Sequence, residues 1–201
     1  MAAASCIFIT GGVRSGKSSF AERKAVEIAR RTAGRLNYLA TGVPSDPEMI
    51  ERIKKHQRDR LAAETYKWKT YEQSVQIGKL AEVFTAEDVV LLDCVTTLLN
   101  NELFSSEQKW NEQFLTNIKE NIISGITSIK DHSGTLIIVS NEVLNEPLPS
   151  NEIVFTYGRL LGQIHQYLVR EADQVFLVEA GIPIVMKGEY DERDHDSRDL
   201  F

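Results

Sequence analysis

Gly11-Gly12-Val13-Arg14-Ser15-Gly16-Lys17-Ser18 follows the apolar run from Cys6 to Thr10 and leads into a helix-forming segment from Ser19 to Arg31. The spacing G-x-x-x-x-G-K-S at a strand-to-helix junction is that of a phosphate-binding P-loop, whose backbone N–H groups curl round an anion. Glycine at Gly11 and Gly16 removes the Cβ that opposes positive φ and close approach to phosphate oxygens. The positive end of the following helix faces the same anion. Lys17, read as an exposed loop lysine, is expected to reach the β and γ phosphates. Ser18 offers a hydroxyl to Mg²⁺, which prefers oxygen ligands and keeps several waters. An incidental glycine-rich turn is the competing reading, and the match of all the fixed positions at this junction weighs against it.

Composition bounds what such a loop can serve. A chain of 201 residues has the length of one domain, or one with an elaboration, and buries roughly 70% of its unfolded surface. The net charge is −6, and much of it lies between Glu189 and Asp199, where six acids stand against Arg193 and Arg198. The rest is near neutral, which argues against a general nucleic-acid surface. Cys6 and Cys94 fall in stretches that read as buried strands and have no C-x-x-C or His-rich spacing, as expected of packing residues in a reducing compartment. The start of the chain lacks the basic and long apolar regions of a signal peptide, and no segment approaches the ~20 apolar residues of a membrane helix. A cytoplasmic protein without a membrane span is the expectation.

Along the chain, strands alternate with helices. Arg35–Ala40 (RLNYLA) reads as a strand, and Ser45-Asp46-Pro47-Glu48 starts a helix expected to run from Pro47 to Arg60. Lys67 to Thr70 alternates like an exposed strand, and Ser74 to Phe84 has helical spacing. Val89-Val90-Leu91-Leu92-Asp93 has the form of a Walker-B strand, four apolar residues ending in a carboxylate. A long helix follows from Gln108 to Lys130, which Gly125 is expected to interrupt. Then come a strand at Thr135 to Ser140, a helix at Glu152 to Glu171, a strand at Gln174 to Ala180, a turn at Gly181-Ile182-Pro183, and a short strand at Ile184 to Met186. The rhythm predicts an α/β, RecA-like P-loop NTPase fold of three layers with a mostly parallel sheet. Residues 1–187 read as one P-loop nucleotide-binding domain, and 188–201 as an acidic tail for which disorder is expected.

Two constellations carry candidate chemistry. Asp93, at the C-terminal end of a buried strand, is the partner expected for Ser18 in orienting Mg²⁺ or its water shell, against the reading of an ordinary turn-capping Asp. On the helix from Pro47 to Arg60, Met49, Ile53, His56 and Arg60 share one stripe that begins apolar and ends polar. Arg52 and Arg60 flank His56 at four residues, favouring the neutral imidazole that acts as a nucleophile, while the guanidinium groups suit phosphate oxygens. A solvated basic face with a lone histidine is the competing reading of that helix. His132 and His195 fall in a turn and the tail, His165 falls mid-helix, and none has metal-ligand spacing with another.

TGGVRSGKS (Thr10 to Ser18), YLATG (Tyr38 to Gly42), R-I-x-x-H (Arg52 to His56), W-x-T-x-E (Trp68 to Glu72), LLDCVTTLLNN (Leu91 to Asn101), SNEV (Ser140 to Val143) and the segment from Ala172 to Pro183 occur in this order. Together they resemble the bifunctional adenosylcobinamide kinase and adenosylcobinamide-phosphate guanylyltransferase family of cobalamin biosynthesis, from Ile7 to about Lys187. The resemblance implies a homotrimer of P-loop subunits with two activities. One phosphorylates the aminopropanol hydroxyl of adenosylcobinamide. The other uses a histidine to take GMP from GTP, with release of pyrophosphate, and passes it to the phosphorylated corrinoid. His56 matches the guanylylated histidine. Nucleotide contacts are implied at Ala40, Thr41 and Gly42, at Gln57, Arg58, Asp59 and Arg60, at Glu72, which suits a guanine edge, and at Asp93, besides the loop itself. GTP, ATP and Mg²⁺ are the implied substrates and cofactor.

The chain departs from the family pattern at Leu61, where a Pro is common, and from Leu144 to Ser150, where the family has a glycine-rich G-x-G-x-V-P segment. A further departure lies in the helix around Gly158 to Gln166, where the family has an arginine-rich start ending in Asn-Gln. These differences fall outside the nucleotide motifs. The absence of D-x-x-G after Asp93 and of N-K-x-D argues against a GTPase switch, and the near-neutral body argues against a motor on DNA. The remaining alternative is a related P-loop kinase or nucleotidyltransferase with another acceptor or only one of the two activities.

Overall fold

The computed structural model describes residues 5–43, 67–106, 108–142 and 152–189. Seven strands form one sheet in the order β3-β2-β4-β5-β1-β6-β7. They are β1 (Ser5–Gly11), β2 (Arg35–Ala40), β3 (Trp68–Glu72), β4 (Asp88–Asp93), β5 (Thr135–Asn141), β6 (Gln174–Glu179) and β7 (Ile182–Lys187). All neighbours pair in parallel except β6 and β7. The helices are α1 (Lys17–Thr32), α2 (Val95–Phe104), α3 (Glu112–His132) and α4 (Glu152–Glu171), with a 3-10 helix at Ile77–Val83.

The apolar runs are continuous because both faces of the sheet are covered. On one face Ile7, Ile9, Val89, Leu91, Ile137 and Val139 pack with Phe20, Ala21, Ala25 and Ile28 of α1. On the other, Cys6, Phe8, Val90, Leu92, Leu136 and Ile138 pack with residues of α2, α3, α4 and the 3-10 helix. Alternate residues of one strand thus feed two separate cores, as the two-residue period of a strand requires. Burying each large aliphatic side chain stabilises the fold by about 1.5–3 kcal/mol. Strands and helices therefore assemble as the three-layer α/β fold expected of the sequence. Among the described residues no helix is long and apolar enough to cross a membrane.

Several local expectations change. The helix expected over Ser74 to Phe84 is the short 3-10 turn, and Gly125 does not interrupt α3. A Cβ at Gly125 would lie 3.0 Å from the backbone N of Gly78. Glycine is there because the 3-10 helix and α3 meet backbone to backbone, and that docking holds both. Helix α2 was not anticipated, since the apolar run continues from β4 into it and Cys94 at its N-cap makes no side-chain capping bond. Cys94 consequently sits just past β4 and not within it, although it is buried as expected. The edge strand β7 begins at Ile182, inside the segment read as a turn. The expected helix from Pro47 to Arg60 lies outside the described residues.

At the opposite end of the sheet from the P-loop, Asp88 is buried and ties β2 to β4. Its carboxylate accepts bonds from Arg35 Nε at 2.9 Å, Asn37 Nδ2 at 2.9 Å and the Thr85 N–H at 2.7 Å. Burial pushes the carboxyl pKa up, but the Arg35 guanidinium and the bonds from Thr85 and Asn37 outweigh it and hold it below the ordinary value. A depressed carboxylate contributes stability that is present above its unfolded pKa of about 3.9 and is lost as pH falls through the lower folded value. Thermal denaturation should therefore show the melting temperature dropping below about pH 4. Asp88→Asn should melt a few degrees lower at pH 7 and show a flatter acid limb.

Candidate active site

The parallel strands place their C-terminal ends along one edge, where ligands of open α/β sheets bind. Gly11 pairs with Asn141, Val139 with Asp93, and Ala40 with both Asp93 and Glu72. From the strand order, Asp93 stands two strand spacings from Gly11, roughly 10 Å, and Glu72 four, roughly 19 Å. The fold thus brings Gly11 to Ser18, Asp93 and Ala40 to Gly42 into one cleft edge and leaves Glu72 at its far end. His56, Gln57, Arg58, Asp59 and Arg60 lie outside the described residues.

The loop is shaped by contacts that leave no room for side chains. A Cβ at Gly11 would lie 2.3 Å from the Val178 carbonyl oxygen and 2.7 Å from Ser15 Oγ. Gly16 takes φ 90° at the N-cap of α1, and Arg14 takes φ 61°. Ser15 N–H donates to Gly12 O at 3.2 Å, Phe20 N–H to Gly16 O at 3.0 Å, and Gly181 N–H to Ser15 O at 2.8 Å. The last bond fastens the loop to the turn between β6 and β7, which sequence reasoning did not connect with it. Gly16 offers no side-chain cap and the first turn of α1 carries no acid, so its N–H groups and dipole are left for an external anion. Among the described residues a Cβ at Gly12 would meet nothing within 4 Å, and the buried Ser15 and Thr10 hydroxyls have no partner. An open cradle lined by unused polar groups fits a phosphate.

Lys17 differs from the expectation of an exposed loop lysine: it opens α1 and is 3% exposed. Its Nζ folds back to donate to Gly12 O at 2.9 Å, across the mouth of the loop. Ser18 is buried next to Lys17.

Asp93 ends β4, and its Oδ2 accepts the Tyr38 hydroxyl at 2.9 Å. Tyr38 rests edge-on against Trp68, so the phenol is fixed by packing. Tyr38 was not singled out as a site residue; the signal in the sequence is that it opens the YLATG motif, two residues before Ala40. Thr41 is fully buried, and its hydroxyl donates to Cys94 O at 2.8 Å while accepting the Cys94 N–H at 2.8 Å. That side chain is used to join the ends of β2 and β4, and Gly42 beside it has open space where a Cβ would stand. Burial and the Asp93 charge raise the Cys94 thiol pKa, and burial raises that of Cys6 to about 11, so both stay protonated packing groups. The Ser18 hydroxyl and the Asp93 carboxylate form an oxygen-only donor set that fits Mg²⁺ completed by phosphate and water. Among the described residues no group of three or more His, Cys, Asp or Glu could form a protein cage for a metal.

A family model described as cobinamide kinase / cobinamide phosphate guanyltransferase matches residues 7–186. The bifunctional adenosylcobalamin biosynthesis protein CobU of Escherichia coli K12 is 30% identical over 188 residues, covering 90% of this chain and 99% of that protein. The bifunctional adenosylcobalamin biosynthesis protein CobP of Pseudomonas aeruginosa is 32% identical over 182 residues, covering 90% and 96%. Among solved structures, the flagellar accessory protein FlaH of Methanocaldococcus jannaschii aligns with a TM-score of 0.50 at 16% identity, covering 94% of this chain and 83% of that one, a likeness of fold. The P-loop, the strand order and a match over nearly the whole chain place this protein in the cobinamide kinase / cobinamide phosphate guanyltransferase family.

Proposed function

We propose that this chain phosphorylates adenosylcobinamide and transfers GMP from GTP to adenosylcobinamide phosphate through His56. The observation that supports it most is the gathering of the P-loop, Asp93 and the Ala40 to Gly42 turn on one sheet edge in a chain of this family. In the kinase step the loop N–H groups and Lys17 hold the phosphates of ATP or GTP. The corrinoid hydroxyl oxygen attacks the γ-phosphorus and releases its proton to solvent, the γ-phosphorus bond to the β-phosphate oxygen breaks, and the nucleoside diphosphate leaves. Lys17 stabilises charge as it develops, which requires Nζ to leave Gly12 O for phosphate. Ser18 and Asp93 would hold Mg²⁺ through oxygen, and the ion would supply neutralisation of phosphate charge. Tyr38 keeps Asp93 aimed at that position.

In the transfer step a neutral His56 nitrogen attacks the α-phosphorus of GTP, forming a P–N bond and expelling pyrophosphate. A phosphate oxygen of adenosylcobinamide phosphate then displaces the imidazole, giving adenosylcobinamide-GDP. Gln57, Arg58, Asp59 and Arg60 follow the nucleophile and contact the nucleotide, and Glu72 accepts from the guanine edge. Its separation from the P-loop, roughly 19 Å from strand spacing, supports a guanine site distinct from the loop's phosphate cradle. A homotrimer is the assembly we assign. The alternative acceptor, or a single retained activity, is favoured by the departures between Leu144 and Gln166.

Mixing the protein with GTP and Mg²⁺ should raise its intact mass by one GMP, as an acid-labile, alkali-stable adduct. His56→Ala should show none; an adduct that persists there removes the histidine from the mechanism. Discharge to adenosylcobinamide phosphate identifies the acceptor, and an adduct that never discharges to it favours the alternative. Lys17→Met keeps the buried stem and should lower the kinase rate by about 100-fold or more, with only a few degrees lost in melting. Asp93→Asn should shift the Mg²⁺ titration of nucleotide binding, measured calorimetrically, to higher concentration. An unmoved titration would make Asp93 structural.

A further inference from the structure

The strand between the P-loop strand and the Asp93 strand is β5, and a buried chain of hydrogen bonds holds its end. Asn141 N–H donates to Thr96 Oγ1 at 2.7 Å, Thr96 Oγ1 and Ser140 Oγ are 3.0 Å apart, and Ser140 Oγ lies 2.8 Å from His165 Nε2. Ser140 is fully buried, and Thr96 and His165 are each below 10% exposed. Tyr157 of α4 adds a bond from its hydroxyl to Thr96 O at 3.0 Å, and the His165 ring packs against Phe8 at 5.3 Å between centroids. The chain therefore runs from α4 through β5 and α2 to the backbone of Asn141. The next residue, Glu142, donates its N–H to Gly11 O at 2.9 Å, at the base of the P-loop.

Counting hydrogens fixes the direction. If Nε2 accepts, Asn141 gives to Thr96, Thr96 to Ser140 and Ser140 to His165, and each hydroxyl gives one hydrogen and takes one. If Nε2 carries a proton, one hydroxyl takes two hydrogens and its own must leave the chain, for Thr96 to the weakly accepting Cys94 sulfur, a costlier state in a buried network. Burial also lowers the pKa of this imidazole, against an opposing effect of the Glu142 charge.

We propose that His165 is a positioning residue of the nucleotide site: through Ser140 and Thr96 its neutral Nε2 fixes Asn141 and Glu142 between the P-loop and Asp93. The part of this that concerns catalysis rests on the proposed function; the structural part does not. Phenylalanine at position 165 keeps the ring on Phe8 and removes the acceptor. Glutamine presents an oxygen near the place of Nε2.

Amide exchange by NMR on the full chain reads the structural part. In His165→Phe, Asn141 N–H should exchange about tenfold faster, the scale expected for losing one buried hydrogen bond, with β1 and β6 amides unchanged. His165→Gln should restore protection. Kinetics reads the consequence: kcat of the phosphorylation should fall about tenfold in His165→Phe with the nucleotide KM within about twofold, and recover in His165→Gln. Thr96→Val should produce a similar loss, and the double variant little more, because both break one chain. Unchanged Asn141 exchange, additive losses, or losses that follow melting temperature in every variant would overturn the proposal. If the wild type neither binds nor turns over ATP or GTP, the proposed function fails, and the exchange measurement still decides whether His165 holds the end of β5.

Discussion

Everything at the nucleotide edge depends on how closely the chain passes at Gly11. Its peptide pairs with Asn141, its carbonyl takes the Glu142 N–H, and the place of its missing Cβ lies against the Val178 carbonyl. Three strands, β1, β5 and β6, therefore end in mutual contact. Gly181 then bonds Ser15 and touches the space beside Gly16. A loop with φ values near 90° and 60° at Gly16 and Arg14 is costly by itself. It persists because surrounding backbone over-determines it. That rigidity is what a phosphate site needs, since donors already aimed at the anion lose little freedom on binding.

The interposed strand β5 sets the other dimension of the site. It separates the P-loop strand from the Asp93 strand by two strand spacings. It also brings Asn141 and Glu142 into that gap. Packing on the two faces keeps the strands in register: Leu91 and Ile137 belong to the core under α1, Leu92 and Ile138 to the core under α2 to α4. A slip of one residue would exchange these sets and turn Asp93 away from the edge.

The polar contacts at the two ends of the sheet differ in kind. At the far end Asp88 accepts from Arg35, Asn37 and Thr85 and is satisfied within the protein. At the loop end, among the described residues, the Ser15 and Thr10 hydroxyls have no partner and Lys17 rests on a carbonyl. Buried polar groups left without partners cost stability. Their concentration beside the P-loop marks the end of the sheet built to receive a ligand, and satisfied groups mark the end built to hold the strands.

Much of this was legible in residue order. The P-loop spacing, the four-residue apolar run before Asp93 and the alternation of strands with helices are local patterns. They specify a mostly parallel α/β sheet and name Gly11 to Ser18 and Asp93 before any contact is known, whereas Ala40 to Gly42 entered only through the family resemblance. The tertiary structure decided what local pattern cannot carry. Strand order placed β5 between β1 and β4, and docking against Gly78 let Gly125 remain within a helix. Lys17 was buried where α1 begins, and Thr41 was taken up in joining two strands. Tyr38 and His165 gained their roles from partners 55 and 25 residues distant in sequence. Periodicity reports which face a residue occupies, whereas hydrogen-bond partners across elements are set only when the chain closes on itself.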